Sequence, residues 1–346
     1  MKKLLFLGMF SVLLACSQSG EAPVLPGKVG PAGELLVVAS ESVWNGPVGA
    51  AIREVVDQPY PVLPQAESHF DLVNLDPRDF DKFWKPHRNI IYIEVGQAVE
   101  QTISKVEFAR NRYSSGQIYI EARGKSQQEL ADAIISRGNE ILSILHKEEV
   151  DRLAANVRAF DNEALNADLM EKYGLTLDIP RDMFVVAEIV DTSDERLEFL
   201  WLQREMTRMK GGNNHDIKEG VFVYTYPYTT DSIFSMNWLL EKRQDMLRKY
   251  VPGPTDGSYM ANEMHLVPTY EEVVFKGMFA SEVRGLWKMQ NDFMGGPYYM
   301  LTFYDEANQR IVSVDGYAYA PYFDKREYMR EVEAIVKTLT LKGAGA

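Results

Sequence analysis

The sequence predicts an α+β protein, with largely antiparallel sheets and helices packed on them. Three observations carry that prediction. Short runs of alternating apolar and polar residues crowd the second half of the chain, bounded by Gly, Pro and Asn turns. Stretches with helical apolar spacing stand apart from these runs, whereas a parallel sheet would demand stricter alternation of strand and helix. Hydrophobic residues make up 46% and charged residues 25% of 346 residues, an ordinary folded composition with room for roughly two domains.

The chain opens with an export signal. Lys2 and Lys3 precede an apolar stretch over residues 4–15, broken only by Ser11. That is too short for a membrane span, which needs roughly 20 apolar residues, and it suits the core of a signal peptide. Leu13-Leu14-Ala15-Cys16 resembles the lipobox of bacterial lipoproteins, with Leu14 where Ala, Ser or Thr is commoner. The resemblance implies removal of residues 1–15 and a thioether-linked diacylglycerol on Cys16. Cys16 is the only cysteine, so no intramolecular disulfide can form. At about 0.8 kcal/mol per buried CH₂, two or more acyl chains hold a protein stably on a bilayer. Residues 16–33, rich in Ser, Gly and Pro, read as the lipidated cysteine and a flexible tether.

The first folded half spans residues 34–174. Residues 35–39 read as a buried strand, and Pro47 opens a helix carrying Val48, Ile52, Val55 and Val56. A Pro-rich loop follows, then strands near 89–95, 105–109 and 117–122. Ser126 with Glu129 forms a capping box. It opens a helix with Leu130, Ile134, Ile141 and Leu145 on one face. A second helix runs to about Tyr173, with Gly174 as its stop.

The second half spans 175–346. Strands are expected near 183–191, 197–205 and 220–226, with a polar turn at 210–215 between the last two. A helix over 235–251 presents Leu239, Leu240, Met246 and Leu247, and Pro252 ends it. Strands near 272–278, 282–290, 298–304 and 311–319 follow, the last two as a hairpin. Asp324-Lys325-Arg326-Glu327 caps a closing helix with Tyr328, Val332, Ile335 and Leu339 inward. Both halves read strand, helix, Pro-containing loop, strands, helix, which suggests two related halves from an old duplication.

A net charge of −13 argues against nucleic-acid binding and against a polybasic grip on anionic lipid. The five histidines His69, His87, His146, His215 and His265 show no metal-ligand spacing, and no nucleophile elbow, P-loop or dinucleotide fingerprint occurs. No catalytic residue, metal or cofactor is therefore assigned. Residues 191–195 read as a solvated acidic turn.

Three stretches differ from ordinary scaffold: 251–260, 285–297 and 315–330 mix Gly or Pro with aromatics and charge. Gly295-Gly296 before Pro297 predicts backbone at positive φ, or backbone closely approached. As a ligand or partner groove, this region would be lined by Trp287, Tyr259, Tyr298 and Tyr317. Asp256, Asp292, Lys325 and Arg326 would be its polar anchors. In the last strand Val312, Val314, Ala318 and Ala320 form the expected core face, leaving Tyr317 and Tyr319 for a helix or a ligand.

The same stretches carry a family resemblance. His87-Arg88-Asn89-Ile90-Ile91, Lys242-Arg243, Val251-Pro252-Gly253-Pro254 and Gly257-Ser258-Tyr259-Met260 belong to it. So do Arg284-Gly285-Leu286-Trp287, Met294-Gly295-Gly296-Pro297, and Ala320-Pro321 with residues 324–327. With them the chain, over residues 33–341, resembles an uncharacterised family of Bacteroidota lipoproteins, domain of unknown function 4837. The resemblance implies a lipid-anchored protein of the cell envelope and supplies no activity. In that phylum acidic residues after the lipidated cysteine favour surface display. Ser17-Gln18-Ser19 lacks them, which points to the periplasmic face of the outer membrane.

Two functions follow. The first is a non-catalytic module that binds an envelope protein or glycan, or is purely structural in an envelope assembly. The second is a glycan or cell-wall hydrolase using Asp256 and Asp292 as paired carboxylates.

Overall fold

In a computed structural model of the chain, residues 24–96, 99, 104–193 and 196–343 are described. The signal segment, Cys16 and the start of the tether lie outside them, as does part of the 191–195 turn. Among the described residues no helix is long and apolar enough to cross a membrane. The class is α+β, as the strand runs predict.

The first half builds a five-stranded sheet. Its interior strand β1 (Glu34–Val38) is apolar on both faces because both are covered. Helix α1 (Glu41–Trp44) leads into α2 (Pro47–Val56), with Pro47 in the first turn. The Pro-rich loop hides a strand, β2 (Asp71–Leu75). After it come β3 (Asn89–Val95), β4 (Lys105–Arg110) and β5 (Ile118–Gly124). The order is β2-β1-β3-β5-β4, parallel except for β4. This parallel pairing departs from the largely antiparallel sheets expected, because helices cover its inner strands.

Three helices then replace the two expected: α3 (Gln127–Ser136), α4 (Gly138–Ala159) and α5 (Glu163–Tyr173). The Ser126 side chain accepts from the Glu129 N–H, as the capping box requires. The first break falls before Gly138, where a Cβ would press on the Val55 side chain of α2. The second falls at Asn162, whose side chain caps α5 by accepting from the Leu165 N–H. Ile52, Val55, Leu130, Ile134, Ile141 and Leu145 pack on one side of the sheet.

The second half begins with β6 (Leu175–Thr176), β7 (Phe184–Asp191), β8 (Arg196–Lys210) and β9 (Asn213–Pro227). The expected polar turn shrinks to Gly211-Gly212 between two long strands. Helix α6 (Met236–Tyr250) is followed by β10 (Tyr259–Glu263), inside a stretch that reads as turn, then β11 (Thr269–Phe275) and β12 (Met278–Gln290). β13 (Gly295–Asp305), β14 (Arg310–Tyr319), α7 (Arg326–Thr338) and β15 (Thr340–Leu341) complete it. Eight strands form an antiparallel sheet ordered β10-β12-β13-β14-β9-β8-β7, with β11 also on β12. What the halves share is element order along the chain. Their sheets pair in different orders and senses.

Both faces of the large sheet are core. Val312, Val314 and Ala318 meet Val332, Ile335 and Val336 of α7. Tyr224, Tyr298, Met300 and Tyr317 meet Leu239, Met246 and Leu247 of α6. The small-residue face of β14 is core as expected. The Tyr317 face, left open by the sequence, is core too, because α6 covers it. Each large side chain so buried contributes roughly 1.5–3 kcal/mol.

The closing helix is capped from the other half. Asp324 does not cap it. The Glu67 carboxylate accepts from the backbone N–H of Lys325 (2.7 Å) and of Arg326 (2.8 Å), satisfying donors that no helical carbonyl reaches. Arg326 then ties Asp71 (2.7 Å) and the Ser68 carbonyl (2.8 Å) to α7. This clamp sets the 64–67 loop beside the end of β14.

Candidate functional site

Pro252, Pro254, Met294, the middle of β8 and the C-terminal ends of β12 and β14 enclose an apolar slot of about 230 Å³. Its walls include Trp201, Trp287, Tyr317, Met260, Met289 and Met294. It opens into a wider polar groove of about 760 Å³, and the two share Lys218, Pro254, Met294 and Tyr319. The outer groove adds Gln65, His215, Asp216 and Lys325.

The aromatic rings of the slot hold one another in place. The Trp287 indole N–H donates to the Ala318 carbonyl (3.3 Å), and its ring meets Tyr317 edge-on at 5.6 Å. The Tyr317 hydroxyl accepts from the Trp201 indole (3.0 Å) and donates to Gln203 (2.6 Å). Burial pushes the Tyr317 hydroxyl well above its usual pKa, so it stays a donor at any physiological pH. Gly296 stands opposite Trp287 across β12 and β13. A Cβ there would collide with the Ala318 carbonyl oxygen. Neither Gly295 nor Gly296 has positive φ, contrary to one sequence expectation. Both are strand residues, and close backbone approach is what requires glycine at 296.

The remaining sequence candidates divide. Tyr298 is buried behind the slot, its ring under the Arg243 guanidinium at 3.5 Å, and burial pushes its hydroxyl up to about 12. Tyr259, on β10, accepts from Arg248 (3.1 Å) outside the slot. Asp292 accepts from Thr255 (2.8 Å) and from the Phe293 N–H (2.6 Å), fastening the 253–258 loop to the β12–β13 turn. Asp256 is exposed on that loop. Neither aspartate lines the slot or the groove, so neither faces a cleft where a glycosidic bond would sit. Arg326 is spent on the clamp between halves. Lys325 does face the groove, donating to Gln65 (2.7 Å) and to the Phe323 carbonyl (2.9 Å). Burial lowers its pKa, while Glu67 and Asp324 oppose that shift.

Met260 and Met289 lie in the unusual stretches 251–260 and 285–297 without standing out as lining residues, while Trp201 and Lys218 lie outside those stretches. Trp201 alternates outward in a run that reads as ordinary strand, and only the β8-β9-β14 order brings it to Tyr317.

A second cavity of about 410 Å³ lies between the halves, lined by Tyr60, His69, His146, Glu282, Arg284 and Glu333. Its charges are matched internally. Glu333 accepts from Arg284 (3.0 Å), Lys337 (2.6 Å), His146 (3.1 Å) and Tyr60 (3.3 Å). Burial opposes its charge, but these cations more than offset it and hold the carboxyl well below its usual range. Among the described residues no group of three or more His, Cys, Asp or Glu side chains could hold a metal ion.

The fold and groove define an α+β protein with two large, unlike sheets and a small β6-β15 pair, and with an aromatic slot on the largest sheet. Residues 162–338 match the family model described as Domain of unknown function (DUF4837), and the chain belongs to that family. Residues 28–158 match a second model, Domain of unknown function (DUF8532). The two matches meet between α4 and α5, somewhat before the boundary at 174 expected from sequence. No curated protein matches the chain. Among solved structures, LpqN, involved in cell envelope biogenesis of Mycobacterium tuberculosis, is similar at 11% identity with a TM-score of 0.27. The match covers 49% of this chain and 83% of that one, a likeness too slight to define a shared fold.

Proposed function

We propose that the protein is a lipid-anchored module of the cell envelope that binds a partner protein through the groove, without catalysis. The anchor is Cys16, and the site of action is the periplasmic face of the outer membrane. The observation that carries the binding reading is the pre-formed apolar slot opening into a polar groove. Such concave, mostly apolar sites with a few placed polar groups are where proteins take ligands. Trp287 supports a protein partner over a glycan: at 2% exposure it has no open ring face for a sugar to stack on.

The test is a photo-crosslinking residue placed at Tyr319 in cells, with Phe83, exposed on the other half, as the control position. The reading expects a discrete adduct from position 319 alone, lost when Met294 is also changed to Lys. Identical patterns from both positions would end it.

A further inference from the structure

We infer that the groove recognises a polypeptide segment presenting a bulky apolar side chain beside a carboxylate, with the side chain in the slot and the carboxylate on Lys325. This rests on the groove being the binding site and deepens that reading. Lys325 is the reason for the carboxylate. It is buried, and its ammonium donates to two neutral oxygens, those of Gln65 and Phe323. An ammonium carries three donors, so one remains for an incoming acceptor. Among the described residues no carboxylate lies within ion-pair distance of it. Its buried neighbours behave otherwise: Arg326 and Arg330 each hold an acid, at 2.7 Å. A buried cation whose direct hydrogen-bond partners are neutral, with Glu67 and Asp324 acting only from beyond ion-pair distance, is costly to keep charged, and an arriving anion relieves that cost. Lys218, on the wall shared by slot and groove, already holds Glu205 at 2.8 Å, so it adds a weaker positive field beside Asp216 and leaves Lys325 as the main anchor.

The slot's shape selects the apolar part. About 230 Å³ lies below the roughly 300–1,000 Å³ of sites for drug-sized ligands, and it suits one large side chain. Met260, Met289 and Met294 give it walls that adapt to aromatic or branched groups. The broad outer groove, with Gln65, Asn214, His215 and Asp216, offers hydrogen-bonding partners to a solvated backbone. An acyl chain would leave those partners unused.

The experiment uses the folded chain carrying ¹³C-methyl methionine, with N-acetyl-tryptophan as probe and its carboxamide as the neutral counterpart. The acid is expected to shift the Met289 and Met294 methyl signals saturably while Met209, exposed at a hairpin tip, stays still. The carboxamide should bind at least about fivefold more weakly. Lys325→Gln should remove that difference, and Lys218→Gln should reduce it. Equal binding of acid and carboxamide overturns the inference, and so does a folded Lys325→Gln chain that keeps the preference. If Lys325→Gln fails to fold, the acid–carboxamide comparison and Lys218→Gln decide alone. A stronger response to octanoate than to N-acetyl-tryptophan overturns the polypeptide assignment. If neither tryptophan probe moves the slot methyls, the groove reading itself fails, a different result from loss of the acid preference.

Discussion

Arg243 and Asp315 form an ion pair fully removed from solvent, Nε to Oδ2 2.7 Å, between α6 and the large sheet. Asn262 accepts from the same guanidinium at 2.6 Å, and the Tyr298 ring lies beneath it. Removing one partner strands a buried charge. Arg243→Met or Asp315→Leu alone should therefore cost about 3–5 kcal/mol, while the double replacement should recover most of it. Urea unfolding of the three variants checks this.

Glu67 reaches the first turn of α7 from 258 residues upstream. Glu67→Ala should destabilise the fold by about 1–2 kcal/mol, since it removes a capping acceptor from two backbone donors. Glu67→Gln, which keeps one acceptor, should cost less. Thermal unfolding would show the ranking, and equal stability of all three chains would refute the capping role.

Acid should loosen the seam between the halves through His69. Burial first, then His146, Arg330, Arg284 and Arg326, push its imidazole down to about 3. The unfolded chain takes up that proton near pH 6.5 and the folded chain does not. Stability from this group is thus complete above pH 6.5 and declines as pH falls towards 3. By pH 5 the loss should be about 1–2 kcal/mol, allowing for partial exposure. A His69→Gln chain should show a shallower decline over that window, measured as unfolding midpoint against pH.

Gly296→Ala should destabilise the chain by roughly 3 kcal/mol or more, because the added methyl would collide with the Ala318 carbonyl oxygen, which as backbone cannot step aside, and would press on the Trp287 indole. Gly257→Ala, where a Cβ meets open space and only positive φ resists it, should cost less.

Cys16→Ser should move the protein from the membrane to the soluble fraction, since no basic patch is expected to hold it there. Fractionation and intact-mass measurement of the wild-type N-terminus test the anchor together.

Local signals made much of the fold legible. Pro47, the Ser126 cap and the apolar spacing of α6 are written within single elements, and those elements lie where the spacing puts them. β2 and β10 were hidden because each is five residues long and set among prolines and glycines. Their strand character comes from the neighbour that pairs with them. The site was legible in part for the same reason. Trp287, Tyr317 and Lys325 stand in unusual stretches and meet at the groove. Arg326 stands there too, yet its carboxylate partner Asp71 is 255 residues away, and no local pattern could show it already engaged.

Oxidative footprinting of Met289 and Met294 in the native envelope, against the purified chain, bears most directly on the claim that the groove is occupied at work. Met209, 74% exposed on the β8–β9 hairpin, is the internal standard. The account expects Met294 to be protected several-fold in the envelope while Met209 reacts equally in both settings. Equal labelling of Met294 in the two would contradict it.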